Sequence, residues 1–333
     1  MSLKKIAEMT GVSVSTVSRV LNQKNKSCAS EQVKEKIWQA AGEIGYQPNV
    51  YARSLKKKES PEESARISVI MARNGRTSKD PFFEELCRHL QSEFVQTGCR
   101  LGKILYAGEK GTKVFVDQKI PDGDGYIILG RCPAKLLTAL QERTENLIGI
   151  WRNPAALPMD EVICRGDKAA EMAIEYLLSL GHRKIAYIGD CSYENRYVGY
   201  SECLIKNKIP IDYPLIYDVA QTRAAGARAM ENLLRTNGAT AALCANDELA
   251  LGALEELKRQ KRNRKNPISV ISIDDIREAG EAGLTTIHMP QKDMAHMAVM
   301  LLLDRIKKGH QEKLCLEMPC NLMERESCYY LIP

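Results

Sequence analysis

The stretch TGVSVSTVSRVLN, residues 10–22, decides how the N-terminal part of this chain folds. It is rich in serine, threonine and valine, none of which is a strong helix former. Its apolar side chains nevertheless recur at helical spacing, since Val17, Val20 and Leu21 stand at positions i, i+3 and i+4. We therefore predict a short helix that buries this stripe and turns serines and one arginine outward.

Two more helices are predicted beside it. Residues 3–11, LKKIAEMTG, form one face with Leu3, Ile6 and Ala7 and end at Gly11. Residues 30–46, SEQVKEKIWQAAGEIGY, begin at a capping Ser30 and carry an apolar stripe formed by Val33, Ile37, Ala40, Ala41 and Ile44. Two short helices separated by a glycine turn and closed by a third are typical of a helix-turn-helix.

The outward face of the middle helix has the chemistry of a DNA reader. We expect Ser13 to cap this helix. The side chains opposite its buried stripe are those of Val14, Ser15, Ser18 and Arg19. Small side chains let a helix approach the floor of the major groove, hydroxyls and arginine bond phosphates and base edges, and a valine contacts a thymine methyl. A generic three-helix surface module is the alternative that this stretch leaves open.

The positive charge of the chain is concentrated in this small module. Residues 1–58 hold nine Lys and two Arg against four Glu, a net charge of +7, whereas the whole chain carries +6. The remainder is therefore close to neutral, at −1. A solvated basic tail is one explanation. Because the segment is helically patterned, we favour a polyanionic partner, double-stranded DNA.

Composition sets limits on the function. The 333 residues, 44% of them apolar, suit a soluble protein of two domains, and no signal peptide or run of eighteen apolar residues is found. We expect a cytoplasmic protein whose eleven scattered cysteines are free thiols. The five dispersed histidines predict no metal site and no cofactor. Since G-x-S-x-G, H-E-x-x-H and phosphate-loop patterns are missing, we do not expect an enzyme.

A second basic stretch follows the third helix. Residues 46–60, YQPNVYARSLKKKES, place Pro48 at a helix start and mix apolar side chains with basic ones. A helix this short is marginal on its own. We expect it to form when its apolar side chains find a surface and its basic side chains find phosphates.

The rest of the chain alternates apolar, β-rich runs with helical stretches. RISVIMA, GYIILG, NLIGIW, KIAYIGD, AALCAN and SVISIDD are such runs, and FFEELCRHLQSEFVQTG and DELALGALEELKRQK are such helices. This alternation predicts doubly wound parallel sheets with helices on both faces, an α/β architecture. Ligands of such sheets collect at the carboxyl ends of the strands. Asp190, Asn246-Asp247 and Asp274-Asp275 follow predicted strands, although each could instead cap the next helix, an alternative that is as good as ligand binding for Asp190 and Asp247.

Together, LKKIAEMTGVSVSTVSRVLN and AAGEIGYQPNVYARSL closely resemble the DNA-binding headpiece and hinge of the lactose-repressor (LacI/GalR) family. The resemblance implies a homodimeric transcriptional repressor that reads a palindromic operator. It also implies a hinge helix that folds in the minor groove and inserts Leu55 as a wedge. The residues that it assigns to DNA binding are Lys4, Val14, Ser15, Thr16, Ser18, Arg19, Asn49, Val50, Ala52, Arg53, Leu55 and Lys56.

IEYLLSLGHRKIAYIGD, TAALCANDELALGALEEL and MLLLDRIKKG extend the resemblance to the body, and imply a periplasmic-binding-protein-like domain of two lobes with an effector between them. The boundaries expected are 1–47 for the headpiece, 48–58 for the hinge, 59–65 for a linker, about 66–159 and 290–318 for the first lobe, and about 160–289 and 319–333 for the second. The effector-binding residues implied are Asp80, Phe82, Phe83, Trp151, Arg196, Gln221, Asn246 and Asp274.

The identity of the effector stays open at this point. A carbohydrate is expected from the family, because arginine and aspartate side chains fix pairs of hydroxyls. The chain departs from the family pattern at Trp151-Arg152, Gln221 and Arg165, and the added arginine also suits an anion such as a phosphorylated sugar. The alternatives are a co-repressor-dependent regulator that senses a nucleobase or phosphorylated metabolite, and a DNA-tethered enzyme. The end of the chain, ESCYYLIP, has no heptad tail, which favours a dimer.

Overall fold

The computed structural model describes residues 3–21, 29–44, 46, 64–74, 80–110, 113–116, 119–153, 157–192, 195–236, 238–260 and 268–331. The N-terminal module contains the three predicted helices, α1 (Leu3–Thr10), α2 (Val14–Leu21) and α3 (Glu31–Glu43). Both predicted caps are confirmed, since the Ser13 hydroxyl accepts the amide of Thr16 at 3.1 Å and the Ser30 hydroxyl accepts that of Val33 at 3.4 Å. Gly11 turns the chain between α1 and α2 at a φ of +68°, which a glycine adopts without strain.

The body contains two sheets, each mostly parallel. The strands of the first are β1 (Arg66–Asn74), β2 (Arg100–Lys110), β3 (Lys113–Val116), β4 (Gly125–Leu129), β5 (Leu147–Trp151), β6 (Asp160–Ile163) and β12 (Cys315–Glu317). The strands of the second are β7 (Ile185–Gly189), β8 (Ile216–Asp218), β9 (Ala241–Cys244), β10 (Ser269–Asp274), β11 (Thr285–His288) and β13 (Asn321–Met323). Their spatial orders are β12-β6-β5-β4-β1-β2-β3 and β13-β11-β10-β9-β7-β8.

Helices connect these strands and cover them. They are α4 (Pro81–Thr97), α5 (Ala134–Gln141), α6 (Gly166–Ser179), α7 (Asn195–Lys206), α8 (Arg223–Thr236), α9 (Asp247–Arg259), α10 (Arg277–Glu281) and α11 (Gln291–Ile306), with a 3-10 turn at Tyr213–Leu215. The predicted doubly wound α/β body is therefore confirmed. No helix in the described ranges is long and apolar enough to cross a membrane.

The first lobe departs from simple alternation after β2. Where the sequence leaves little room for a crossover helix, β2 and β3 form an antiparallel hairpin in which Ala107 pairs with Val116 and Lys110 with Lys113. β6 also belongs to this lobe, because it pairs with β5 along its length. The chain therefore enters the second lobe after Ile163, a few residues later than the expected boundary at 160.

Each strand of the first sheet sends alternate side chains into two separate cores. Ile148 and Ile150 of β5 face the large core shared with α4 and α11, whereas Trp151 faces a smaller core that includes Leu136 and Leu140 of α5. Trp151 lies so close to Gly149 that a Cβ on that glycine would stand 1.7 Å from the indole ring. The parity of β5 therefore places the next residue, Arg152, on the α4 side.

The N-terminal module packs directly on the body through α3. Val95 of α4 is only 7% exposed because it joins the module's core beside Ile37 and Trp38. Gly42 of α3 approaches Gln91 so closely that an added Cβ would stand 3.0 Å from the glutamine Cβ. The module is therefore held against the middle and C-terminal half of α4.

Candidate DNA-reading helix and inter-lobe cleft

α2 divides into a buried face and an exposed face. Val17 and Leu21 are buried in the module's core, whereas Val14, the first residue of α2, is 43% exposed. Arg19, in the second half of the helix, is exposed as well. We call the exposed side of α2 the reading face; the predicted residues on it are Val14, Ser15, Thr16, Ser18 and Arg19, with Thr16 and Ser18 half-buried. Lys4 is exposed on α1.

Two hydroxyls of the reading face also serve the helix cap. The Ser13 hydroxyl oxygen lies 2.8 Å from the hydroxyls of both Ser15 and Thr16. These hydroxyls are therefore held in one orientation at the N-terminus of α2. That end of the helix also carries a partial positive charge, which favours phosphate contacts.

The six predicted hinge residues lie outside the described residues. They are Asn49, Val50, Ala52, Arg53, Leu55 and Lys56.

The two lobes meet in a cleft that contains Arg152. Its guanidinium donates two hydrogen bonds to the Asp80 carboxylate, both at 3.2 Å, and one to Asp274 at 3.0 Å. The same group lies over the rings of Phe82 and Phe83, with its central carbon 4.5 and 4.9 Å from their centroids. Asp80 is fixed as the N-cap of α4, where it accepts the Phe82 amide at 3.1 Å. Arg152 therefore joins the first lobe to the second.

A second arginine holds Asp274 from the other side. Arg196 of α7 is fully buried and donates to Asp274 at 2.9 Å and to the Ala245 carbonyl. The charges thus alternate along the row Asp80, Arg152, Asp274, Arg196, and because Asp274 is 2% exposed, solvent screens these pairs little. We call these four residues, with Phe82 and Phe83, the cleft. The formal charges of Asp80, Arg152, Asp274 and Arg196 sum to zero.

The backbone at the end of β10 is strained to present Asp274. Asp274 has a φ of +128° and Asp275 a φ of +58°, a region that side-chain-bearing residues rarely adopt. Asp275 accepts from Arg325 at 2.6 Å and lies 2.9 Å from a ring nitrogen of His288. Burial disfavours ionisation of Asp275, but its hydrogen bonds with His288 and Arg325 outweigh burial and lower the pKa. The two consecutive carboxylates therefore have different partners: Asp274 accepts from Arg152 and Arg196, and Asp275 contacts His288 and Arg325.

Asn246 and Gln221 lie together in the second lobe. The Asn246 amide oxygen accepts the Leu249 amide at 3.0 Å and so caps α9, as its alternative role required. Its amide nitrogen donates to Gln221 at 3.3 Å. Asn246 is therefore a helix cap, and its side-chain NH2 group lies beside Gln221. Asp190 likewise accepts a local amide, that of Ser192, at 2.7 Å.

Two residues singled out in the sequence lie away from the cleft contacts. Trp151, predicted as an effector contact, is 5% exposed and packs in the small core on the other side of β5. Arg165 pairs with Asp167 at the start of α6. The residue missing from the predicted set is Arg152; the alternation of β5 was the signal that places it, and not Trp151, beside Phe82.

Behind the cleft, Asp247 is the centre of a buried hydrogen-bonded cluster. It accepts from Ser272 at 2.5 Å, Thr286 at 2.7 Å and the Ile276 amide at 2.7 Å. Burial, together with the neighbouring Asp274 charge, raises the pKa of Asp247 to about 7. The cluster connects the start of α9 to β10, to the segment that follows it and to β11. No cluster of His, Cys, Asp or Glu that could hold a metal occurs within the described ranges.

Comparison with known protein families matches both parts of the chain. Residues 2–49 match the family of bacterial regulatory proteins of the lacI type, and residues 174–328 match a periplasmic binding protein-like domain. The HTH-type transcriptional repressor CytR of Escherichia coli strain K12 is 30% identical over 339 residues, which cover 98% of this chain and 96% of CytR. The repressor PurR of Vibrio atlanticus strain LGP32 is 26% identical over 98% of both chains.

Solved structures give the same fold. The crystal structure of the lac repressor dimer bound to operator and the anti-inducer ONPF superposes with a TM-score of 0.66 at 22% identity, over 99% of each chain. With the matched headpiece and the full-length similarity to CytR, these comparisons identify the chain as a member of the LacI family of bacterial regulatory proteins, DNA-binding transcriptional repressors that respond to effectors.

Proposed function

We propose that this protein is a homodimeric repressor that reads a palindromic operator through α2 and is controlled by a small polar molecule bound between its lobes. The observation that carries the proposal is the division of α2. Val17, Val20 and Leu21 are buried in the module's core, while Val14 at the start of the helix and Arg19 are exposed. A helix of this kind contacts one half-site, and two-fold symmetry then supplies the second.

The contribution of each side chain follows from its chemistry. Arg19 donates to a guanine edge or a phosphate, and Val14 packs against a thymine methyl. Ser15 and Thr16 bind phosphates from the N-terminal end of α2, where the helix dipole assists them. The net charge of +7 on residues 1–58 supplies affinity that is independent of sequence and depends on salt.

The cleft supports an effector of polar rather than anionic character. Arg152 and Arg196 are both paired with carboxylates, so their charge is already compensated. A phosphorylated metabolite is therefore less favoured than a molecule that offers hydrogen-bond donors to Asp80 and Asp274. A carbohydrate or carbohydrate derivative has this chemistry, as does an amino-substituted nucleobase.

Operator binding tests the DNA-reading part of the proposal. Sites selected from random duplex by the purified full-length protein should be palindromic, and their affinity should exceed that of random duplex by a factor of roughly 10³ or more. Failure to enrich any symmetric site would overturn the assignment of α2. Fluorescence anisotropy over a range of salt concentrations separates the specific contribution from the electrostatic one.

The effector part is tested on the same protein and operator. Sugars, amino sugars, sugar phosphates and nucleobases are added singly, and the operator affinity is measured for each. An inducer lowers the affinity and a co-repressor raises it, because each ligand shifts the protein toward the state it prefers. A screen in which none changes the affinity, while operator binding is intact, would contradict effector control but leave DNA reading in place.

A further inference from the structure

We propose that Arg152 is an internal ligand of the cleft: its guanidinium occupies a cation-binding cage formed by Asp80, Asp274, Phe82 and Phe83, and a molecule enters this cage only by displacing it. The inference rests on the proposed function, since it concerns the same inter-lobe site. Within the polar class proposed above, it narrows the effector to molecules that carry a cationic group with several N–H donors, such as amino sugars, in preference to neutral sugars and nucleobases.

The geometry of the cage is that of a guanidinium site. Asp80 receives both ends of the Arg152 fork at 3.2 Å, which is the bidentate arrangement that a guanidinium and a carboxylate favour. Asp274, from the other lobe, accepts a further N–H of the same fork at 3.0 Å. Phe82 and Phe83 meet edge to face at 5.1 Å and an interplanar angle of 85°, and both present electron-rich surface to the cation.

The position of Arg152 is that of a ligand in this fold. Arg152 follows the carboxyl end of β5. Of its two carboxylate partners, Asp274 is the last residue of β10, and Asp80 caps the helix after β1. Ligands of doubly wound sheets lie at these ends. The Arg152 side chain is 7% exposed and contacts both lobes, as a small molecule closing the lobes would.

Charge decides which molecule replaces Arg152. A neutral molecule that displaces the guanidinium removes a cation from between Asp80 and Asp274, and buried carboxylates that lose a cation are destabilised strongly. A molecule carrying a guanidinium, amidinium or protonated amine restores the cation. The cage therefore favours cationic molecules over neutral molecules of the same shape.

Chemical rescue tests the proposal without DNA. The substitution Arg152→Ala removes the atoms of ethylguanidinium, so this ion is the probe. Thermal unfolding of the full-length variant is measured with ethylguanidinium, with neutral, planar ethylurea and with compact, cationic ethylammonium at equal ionic strength. Arg165→Ala is the matched control, because it removes an arginine that pairs with Asp167.

We expect Arg152→Ala to lower the unfolding temperature by about 5 °C. Ethylguanidinium should restore most of this loss in a saturable way, ethylammonium less and ethylurea none, and Arg165→Ala and the wild type should show no saturable response. Equal effects of the three probes on Arg152→Ala, or an equal response of Arg165→Ala, would overturn the proposal. Such a result would leave operator binding, measured separately, untouched.

A second variant covers the case in which Arg152→Ala does not fold. In Asp80→Asn the guanidinium remains in place but loses one carboxylate charge. We expect a smaller decrease in unfolding temperature and no rescue by ethylguanidinium, because the cage is still occupied. Rescue of Asp80→Asn to the wild-type temperature would contradict occupation of the cage by Arg152.

Discussion

Arg152 of the first lobe and Asp274 of the second are joined by a hydrogen-bonded ion pair of 3.0 Å, although 122 residues separate them in the chain. Asp274 is held at the same time by Arg196, and its backbone adopts a strained φ to reach both. Asp274 thus accepts hydrogen bonds from one arginine of each lobe. The stability of the whole body and the distance between its lobes should both depend on it.

The first prediction concerns this carboxylate. Asp274→Asn leaves two buried guanidinium groups facing a neutral side chain, so we expect the free energy of unfolding to fall by about 2–4 kcal/mol. Urea unfolding gives this value, and small-angle scattering should show a larger radius of gyration. Asp275→Asn is the control, because Asp275 pairs with His288 and Arg325 within the second lobe. If both variants expand equally, Asp274 does not hold the lobes together.

Asp247 predicts a specific pH dependence. Its pKa in the folded protein is raised to about 7 from an ordinary value of 3.8, so the folded state binds a proton that the unfolded state releases. This contribution to stability is complete below pH 4 and is lost as the pH rises to 7. In Asp247→Asn, the amide oxygen can accept from Ile276 while the amide nitrogen donates to Ser272 and Thr286.

We therefore expect Asp247→Asn to be more stable than the wild type at pH 8 by roughly 2–4 kcal/mol, and to lose that advantage toward pH 4. Urea unfolding of both proteins at a series of pH values measures the difference. Parallel curves for the two proteins would show that Asp247 is ionised throughout this range.

The next prediction concerns Arg19, whose removal is expected to reduce specific DNA binding. Arg19→Ala should weaken operator binding by about 10–100-fold, since a good bidentate contact to a base is worth about 1–3 kcal/mol. Lys34→Ala removes the same charge from the module, but Lys34 lies on α3 and pairs with Glu31 at 2.7 Å. Anisotropy titrations on operator and random duplex should find a specific loss for Arg19 only. An equal loss for both variants would reduce Arg19 to a general electrostatic role.

Truncation of Leu55 in the predicted hinge is expected to reduce the specificity of operator binding. Leu55→Ala should weaken operator binding more than binding to random duplex, because an apolar wedge acts where the helix is seated in a kinked minor groove. Lys58→Ala, three residues on, should weaken both to the same degree through lost charge. Competition titrations at two salt concentrations separate these cases. Equal losses for Leu55→Ala on both duplexes would exclude the wedge.

The burial of Val95 in the module's core predicts that this side chain stabilises the contact between α3 and α4. Val95→Asp places a charge in the core shared by α3 and α4, and should release the module from the body. Hydrogen exchange of the α3 amides, residues 31–43, should then become faster. Val198→Asp is the control, because Val198 is 45% exposed on α7. Unchanged α3 exchange in Val95→Asp would mean that this packing contributes little.

Sequence reasoning was sufficient wherever the determinant was local. Ser13 and Ser30 were predicted as caps because a cap needs only the next three residues, and β7 and β10 were predicted because continuous apolar runs form buried strands. The β2–β3 hairpin was not predicted, because β3 is only four residues long and its pairing lies at a sheet edge. β6 was placed in the wrong lobe, since four residues carry too little pattern to choose a partner strand.

The cleft was harder to predict for a physical reason. The family resemblance named Asp80, Arg196 and Asp274, and the structure brings these three together through shared ion pairs. The role of Arg152 depends on contacts with Asp80 and Asp274, which lie 72 and 122 residues away. Strand parity alone indicates that Trp151 is buried in the small core and that Arg152 lies on the α4 side of β5, but it gives no sign of these distant partners.

Helix α4 has a mechanical consequence. Its first turn carries the Asp80 cap and the Phe82 and Phe83 rings, and its last turns carry Val95 against α3. A helix of 17 residues is a rod roughly 25 Å long. If the exchange or removal of the guanidinium beside those rings tilts this helix at its first turn, we expect its far end to move together with the surface on which α3 packs. Such a movement would couple the contents of the cleft to the angle at which α2 meets a duplex.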